Sequence, residues 1–283
     1  MEHTEDNNRN NKSYNDRDTN ANSNTTAWRM IKYDGTGFYE KEDEIATELP
    51  LTIKLDGEEF ATIVCSPSHL RELVIGFLAS EGVIRAAGEI KSLSLQPDSG
   101  YAYVTLEHKQ TAGREFYAKR FIGSCCGKSR QFYFHNDMLT AKTIMSRTQI
   151  TAAECIGFME ELQRSSLDFH NTGGVHNAAI GSPSGIIAAM TDIGRHNALD
   201  KLFGHCLLHR IRTSDKVIAF SGRLSSEVVL KAAKIGCGIM LSKSAPTDLA
   251  LKLADDLGIT CVGFIRRGEM NVYTHEERIV MPS

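Results

Sequence analysis

Two adjacent thiols, Cys125 and Cys126, stand in the loop Gly123-Ser124-Cys125-Cys126-Gly127. Glycines bracket them, and Arg120, Lys128 and Arg130 lie close by in the chain. Positive neighbours and free backbone N–H groups lower a thiol pKa and raise its thiolate fraction. The thiolate is the form that accepts sulfane sulfur or attacks a disulfide. Other readings stand beside this one. A metal centre needs more ligands than the neighbouring sequence supplies. A disulfide between the two is strained, because consecutive α-carbons are only about 3.8 Å apart. Two unreactive loop cysteines are the third. The remaining cysteines of the seven, Cys65, Cys155, Cys206, Cys237 and Cys261, fall in or beside apolar segments and read as small hydrophobes. The odd count and irregular spacing fit a reducing compartment better than a disulfide framework.

A second set of chemistry-bearing residues follows three short apolar runs: Ser221-Gly222-Arg223, Ser242-Lys243-Ser244-Ala245-Pro246, and Phe264-Ile265-Arg266-Arg267-Gly268-Glu269. If the runs are parallel strands, Arg223, Lys243 and Arg266 or Arg267 share one sheet edge, beside two helix N-termini. Helix dipoles, free N–H groups and guanidinium groups together favour phosphate, and Gly222 would let an anion approach the backbone. Each loop alone also reads as an ordinary turn with solvated basic residues. No Gly-rich dinucleotide fingerprint and no phosphate-loop signature is present, which argues against a conventional NAD or ATP site. His176, Asp192, Arg195 and His196 form another polar group around the preceding helix start. They fit the ligand edge, or equally a capping set with Asp192 as N-cap.

The elements that must carry these residues follow from patterning. Residues 1–27 are polar and Asn-rich and are expected to be disordered. Thr52–Leu55 and Phe60–Cys65 flank Asp56-Gly57 and predict a hairpin. Ser66-Pro67 reads as the start of a helix running to about Ser80 through Leu70, Leu73, Val74, Phe77 and Leu78. A second hairpin is expected around Pro97–Gly100 and a helix near Ala152–Gln163. Beyond it, strands at 176–180, 185–190, 216–220, 238–242 and 259–264 alternate, from the third onward, with helices opening near Ser225 and Pro246 and closing at Gly236 and Gly258. Short apolar strands separated by helices predict parallel pairing with right-handed crossovers. The fold class is α/β, a helix-covered mixed sheet (residues 141–283) preceded by a smaller α+β domain (28–140) that ends in the cysteine loop.

The length of 283 residues supports one large domain or two small ones. A formal net charge of -3 gives no basic footprint for nucleic acid. No apolar run approaches a membrane span, and the N-terminus lacks the pattern of a secretion signal, so a cytoplasmic location is expected.

Several motifs resemble, in order, those of the formate dehydrogenase accessory sulfurtransferase family. They are Thr172-Gly173-Gly174-Val175-His176, the run Asp192-Ile193-Gly194-Arg195-His196-Asn197-Ala198-Leu199-Asp200-Lys201, Ser221–Glu227, Ser242–Thr247 and Gly263–Arg266, with Leu73–Gly82 upstream. The resemblance implies a cytidine-deaminase-like core with an added N-terminal domain, and a homodimer. It implies a sulfurtransferase that takes persulfide sulfur from a cysteine desulfurase onto a loop cysteine. The sulfur then goes to the bound acceptor, the molybdenum bis(molybdopterin guanine dinucleotide) cofactor, as formate dehydrogenase activity requires. No catalytic metal of its own is implied. The family's cofactor-contact stretch falls on Phe264, Ile265, Arg266, Arg267, Gly268 and Glu269. A guanine-nucleotide pocket gives an identity to the edge that also holds Gly222, Arg223 and Ser244. One departure concerns the thiols. The family pattern is Cys-x-x-Cys-Gly-Lys. Anchored on Gly127-Lys128, Cys126 matches the second cysteine and Gly123 stands at the first, so Cys126 and Cys125 are both candidate carriers. The rival reading is a molybdenum-cofactor-binding chaperone without sulfur transfer. A zinc deaminase is set aside, because Gly194-Arg195-His196-Asn197 and Gly222-Arg223-Leu224-Ser225 lack the ligands that chemistry needs.

Overall fold

The computed structural model describes residues 23–108, 120–122, 141, 143–166 and 172–280, the stretch 120–122 by its backbone alone. Cys125 and Cys126 lie outside the described residues.

The chain opens with a two-stranded antiparallel ribbon, β1 (Thr25–Tyr33) and β2 (Phe38–Ala46). The first strand thus begins inside the segment expected to lack structure. β3 (Leu49–Leu55) and β4 (Glu58–Cys65) then form the expected hairpin. Its two-residue turn takes Asp56 and Gly57 to positive φ, the conformation for which Asp-Gly is suited. β5 (Ile90–Gln96), β6 (Tyr101–Leu106) and β7 (Arg120–Ile122) complete a five-stranded sheet of order β5-β6-β3-β4-β7.

Helix α1 (Leu70–Ser80) follows β4, but Ser66 does not cap it; the N-cap is His69, at positive φ. Ser66 is withdrawn into the core instead. Its N–H donates to Asp192 Oδ2 at 3.0 Å and its Oγ accepts from the Ile193 N–H at 3.0 Å.

The second region is a six-stranded mixed sheet of order β10-β9-β11-β12-β13-β14. Its strands are β9 (His176–Ser182), β10 (Gly185–Asp192), β11 (Val217–Phe220), β12 (Ile239–Ser242), β13 (Thr260–Arg266) and β14 (Glu269–Val272). β11, β12 and β13 are mutually parallel, and the leading hairpin and β14 add antiparallel edges. β8 (Ile150–Thr151) and β15 (Ile279–Val280) pair separately, in parallel. The α/β architecture is as the strand–helix alternation implied.

Helix α2 (Ala152–Arg164) covers one face of the large sheet, packing Cys155, Phe158, Met159 and Leu162 with Val217, Ala219, Ile239, Leu241 and Val262. The other face, carrying Ile218, Phe220, Met240 and Cys261, meets α3 (Arg195–Leu208), α4 (Ser226–Ile235) and α5 (Asp248–Leu257). That second core runs without a break into the five-stranded sheet and α1. The join is an α1–α3 crossing in which glycines replace side chains. A Cβ on Gly76 would stand 1.7 Å from the Asp200 carbonyl oxygen, and one on Gly204 would stand 1.9 Å from that of Glu72. Helix backbones this close leave no room for any side chain at the contact.

Candidate functional site: the strand-end edge

The pairing register fixes one edge of the large sheet. Asp192 at the end of β10 lies opposite His176 at the start of β9, and Phe220 at the end of β11 lies beside both Ala178 and Ser242. Leu241 pairs with Val262, so β13 also ends here. All three helices α3, α4 and α5 begin at this edge, and their N–H dipole ends gather there.

Backbone bonds stitch the loops together. Leu224 N–H donates to the Ala245 carbonyl at 3.1 Å, Thr247 N–H to that of Leu224 at 3.0 Å, and Phe264 N–H to that of Ser244 at 3.3 Å. Ser242 Oγ, fully buried, donates to the Gly222 carbonyl at 2.8 Å and accepts from Ser244 N–H at 2.9 Å. The structure thus brings together Gly222, Arg223, Lys243, Ser244 and Phe264. Pro246 does not start α5. It forms a parallel bridge with Leu224, and Thr247 is the N-cap, its Oγ1 accepting from Ala250 N–H at 3.4 Å.

The residues divide by role. Arg223, Lys243, Arg266 and Arg267 are exposed cations. The Arg266 guanidinium lies 5.3 Å from the centre of the half-buried Phe264 ring, in cation–π range. Phe264 sits at φ 55 within an irregular stretch of the β13–β14 ladder, while Arg267 and Gly268 form the positive-φ turn leading to exposed Glu269. Ile265 points the other way, 1% exposed, into the core beneath α2. At Gly222 the space of a side chain is already taken: a Cβ would lie 2.9 Å from two Phe220 ring carbons and 3.5 Å from His176 Nδ1.

The second polar group resolves into a buried and an open half. Asp192 is fully buried and ion-paired with fully buried Lys201 at 2.7 Å. It is not the N-cap of α3, a place held by Gly194; its Oδ1 accepts from Gly194 N–H at 2.8 Å and Asn197 Nδ2 at 2.9 Å. Lys201 Nζ also donates to the carbonyls of Ser66 and Thr191, each at 3.1 Å, tying the end of β4 to the edge. On the open half, half-buried His176 has its pKa lowered, by burial and then by the Arg195 charge. His196 Nε2 faces Glu227 Oε2 at 2.8 Å across the starts of α3 and α4. Ser225, the N-cap of α4, has a buried Oγ with no partner among the described residues. Glu227 and Lys201 stand within the quoted motifs, but only the fold shows that they face His196 and Asp192.

The five described cysteines are all free and buried. Burial pushes the thiols of Cys65, Cys155, Cys206 and Cys261 up to about 12, and that of Cys237 up further still. Among the described residues no group of three or more His, Cys, Asp or Glu is arranged to hold a metal ion, and no helix is long and apolar enough to cross a membrane.

A helix-backed mixed sheet with helices starting at its strand ends defines an α/β protein, and its exposed cations stand at the edge where open α/β sheets bind ligands. The chain belongs to the FdhD/NarQ family, whose model matches residues 46–280. It is 60% identical over 252 residues to the sulfur carrier protein FdhD of Geobacillus kaustophilus, covering 89% of this chain and 96% of that one. To the sulfur carrier protein FdhD of Bacillus subtilis it is 53% identical over 259 residues, or 91% and 99% of the two chains. A crystal structure from Desulfotalea psychrophila, assigned as a formate dehydrogenase accessory protein, superposes with a TM-score of 0.75 at 26% identity, over 91% of this chain and 100% of that one.

Proposed function

We propose that this protein is a sulfur carrier serving formate dehydrogenase, and that Cys126 or its neighbour Cys125 holds the sulfur as a persulfide. The observation that carries the reading is the state of the other thiols. All five are buried and pushed far above neutral pH, so none is suited to act as a thiolate. Cys125 and Cys126, with Arg120, Lys128 and Arg130 near them in sequence, are the thiols suited to it.

Two further points support the reading. Relatives that match nearly the whole chain are named as sulfur carriers. Strand β7, which leads into the cysteine segment, pairs with Ala61–Ile63 of β4, and β4 runs on to Ser66, bonded to Asp192 at the strand-end edge. The chemistry is exchange at sulfur. The carrier thiolate attacks the outer sulfur of a persulfide on a cysteine desulfurase. A new S–S bond forms, the old one breaks, and the donor cysteine leaves as thiolate. The acceptor in this reading is the molybdenum bis(molybdopterin guanine dinucleotide) cofactor, its guanine nucleotide held at Gly222, Arg223, Ser244 and Phe264–Glu269. A cytoplasmic homodimer is part of the same proposal.

The test compares Cys125→Ala, Cys126→Ala and the double variant. After incubation with cysteine and a desulfurase, mass spectrometry is expected to find the sulfur adduct on one of these thiols, and the double variant to abolish both adduct and formate dehydrogenase activation. Full activation by the double variant would leave the cofactor-chaperone reading instead.

A further inference from the structure

The β1–β2 ribbon has no role in the edge just described. It lies outside both apolar cores and outside residues 46–280 except at Ala46. An isolated two-stranded ribbon is marginal in water and normally needs a surface to rest on. This one exposes large apolar side chains: Trp28 at 62%, Ile31 at 59%, Tyr33 at 58% and Phe38 at 78%.

The register sorts them into faces. Ala27/Glu44, Arg29/Glu42, Ile31/Glu40 and Tyr33/Phe38 are opposed pairs, so one face carries a row Glu44, Glu42, Glu40 that runs up to an aromatic tip. There the Tyr33 and Phe38 rings lie 5.0 Å apart. Arg29, paired with Glu40, is the lone cation on that face. Edge-to-edge pairing of two such ribbons would set their acidic β2 strands against each other, which like charges disfavour. An anionic bilayer is disfavoured for the same reason. A row of carboxylates leading to an aromatic anchor is complementary to a protein groove lined with Lys or Arg and ending in an apolar pocket.

We propose that this face is a docking arm for a partner protein bearing such a basic groove. The proposal rests on the sulfur-carrier reading only in its choice of probes, purified cysteine desulfurase and purified apo-formate dehydrogenase from the same organism. Each is titrated with the full-length chain, with Phe38→Ala, and with Glu40→Lys/Glu42→Lys/Glu44→Lys, at low and at physiological salt. One probe is expected to bind the wild type, more weakly as salt rises, and to lose about tenfold or more in affinity with each variant. Unchanged melting temperature shows that the variants fold, and undiminished sulfur uptake from a small-molecule persulfide shows that the carrier chemistry is separate. Equal affinity of wild type and variants for both probes overturns the proposal. So does a variant that only splits a dimer in sedimentation, which would make a second copy the occupant. Failure of sulfur uptake in every protein, with the affinity losses intact, would sink the carrier reading and leave the arm standing.

Discussion

Arg266 and Arg223 stand at the same edge but in different settings. Arg266 lies over an aromatic ring and is preorganised by it, whereas Arg223 extends from a loop pinned on both sides by backbone bonds. If the proposed nucleotide site is right, each would supply a charge-assisted contact worth about 1.5–3 kcal/mol to a phosphate. Arg223→Ala and Arg266→Ala are each expected to weaken binding of guanosine diphosphate about ten- to hundredfold, with a larger loss at lower salt; calorimetry checks this. At this scale the sequence was readable where chemistry follows from local neighbours. The three basic loops and the five apolar cysteines could be picked out because each needs only its own segment. The pairing of Asp192 with Lys201 could not. Nine positions separate them across a strand end and a helix start, a spacing with no periodic signature, and only β4 docking makes the pair buried.

Helices α1 and α3 touch through glycines that look, in sequence, like minor blemishes in helical patterns. Their worth is the room they leave. Gly76→Ala must push the Asp200 carbonyl away and spread the crossing, with an expected loss of about 3 kcal/mol in urea denaturation. Gly157, within α2, is the internal comparison. A Cβ there meets nothing within 4 Å, so Gly157→Ala is expected to stabilise by about 0.5–1 kcal/mol through helix propensity. The elements themselves were legible where burial leaves a pattern: β3 and β4 alternate, α1 and α4 are apolar stretches of helical length, and the parallel strands, buried on both faces, are short continuous apolar runs. The β1–β2 ribbon was missed because its residues are exposed on both faces, so no buried stripe marks it. The start of α1 was misplaced because Ser66 bonds to Asp192, more than a hundred residues away, in preference to the local helix.

The whole molecule is held at its seam by buried charge as well as by packing. Besides Asp192 and Lys201, Asp200 accepts from Ser80 Oγ at 2.6 Å and pairs with buried Lys231, while Lys234 Nζ donates to the Ser80 carbonyl at 2.6 Å. These bonds link α1, α3 and α4. Lys201→Met leaves Asp192 buried without its counter-charge and is expected to cost about 3–5 kcal/mol. Asp192→Asn/Lys201→Met should recover much of that loss, and a double-mutant cycle by chemical denaturation measures the difference. The continuous core could not be read from segments at all, since it depends on which helix faces which.

β7 pairs with β4, which sets Ile122 beside Ile63, and Cys126 is four residues further along the chain. Covalent geometry limits that span to about 14 Å. On the proposed carrier role, sulfur on either thiol would be tethered cargo, within that covalent reach of one strand end. Its effective concentration toward an acceptor within that reach would be on the order of millimolar or higher, whereas reductants in bulk solution compete only at their own concentration.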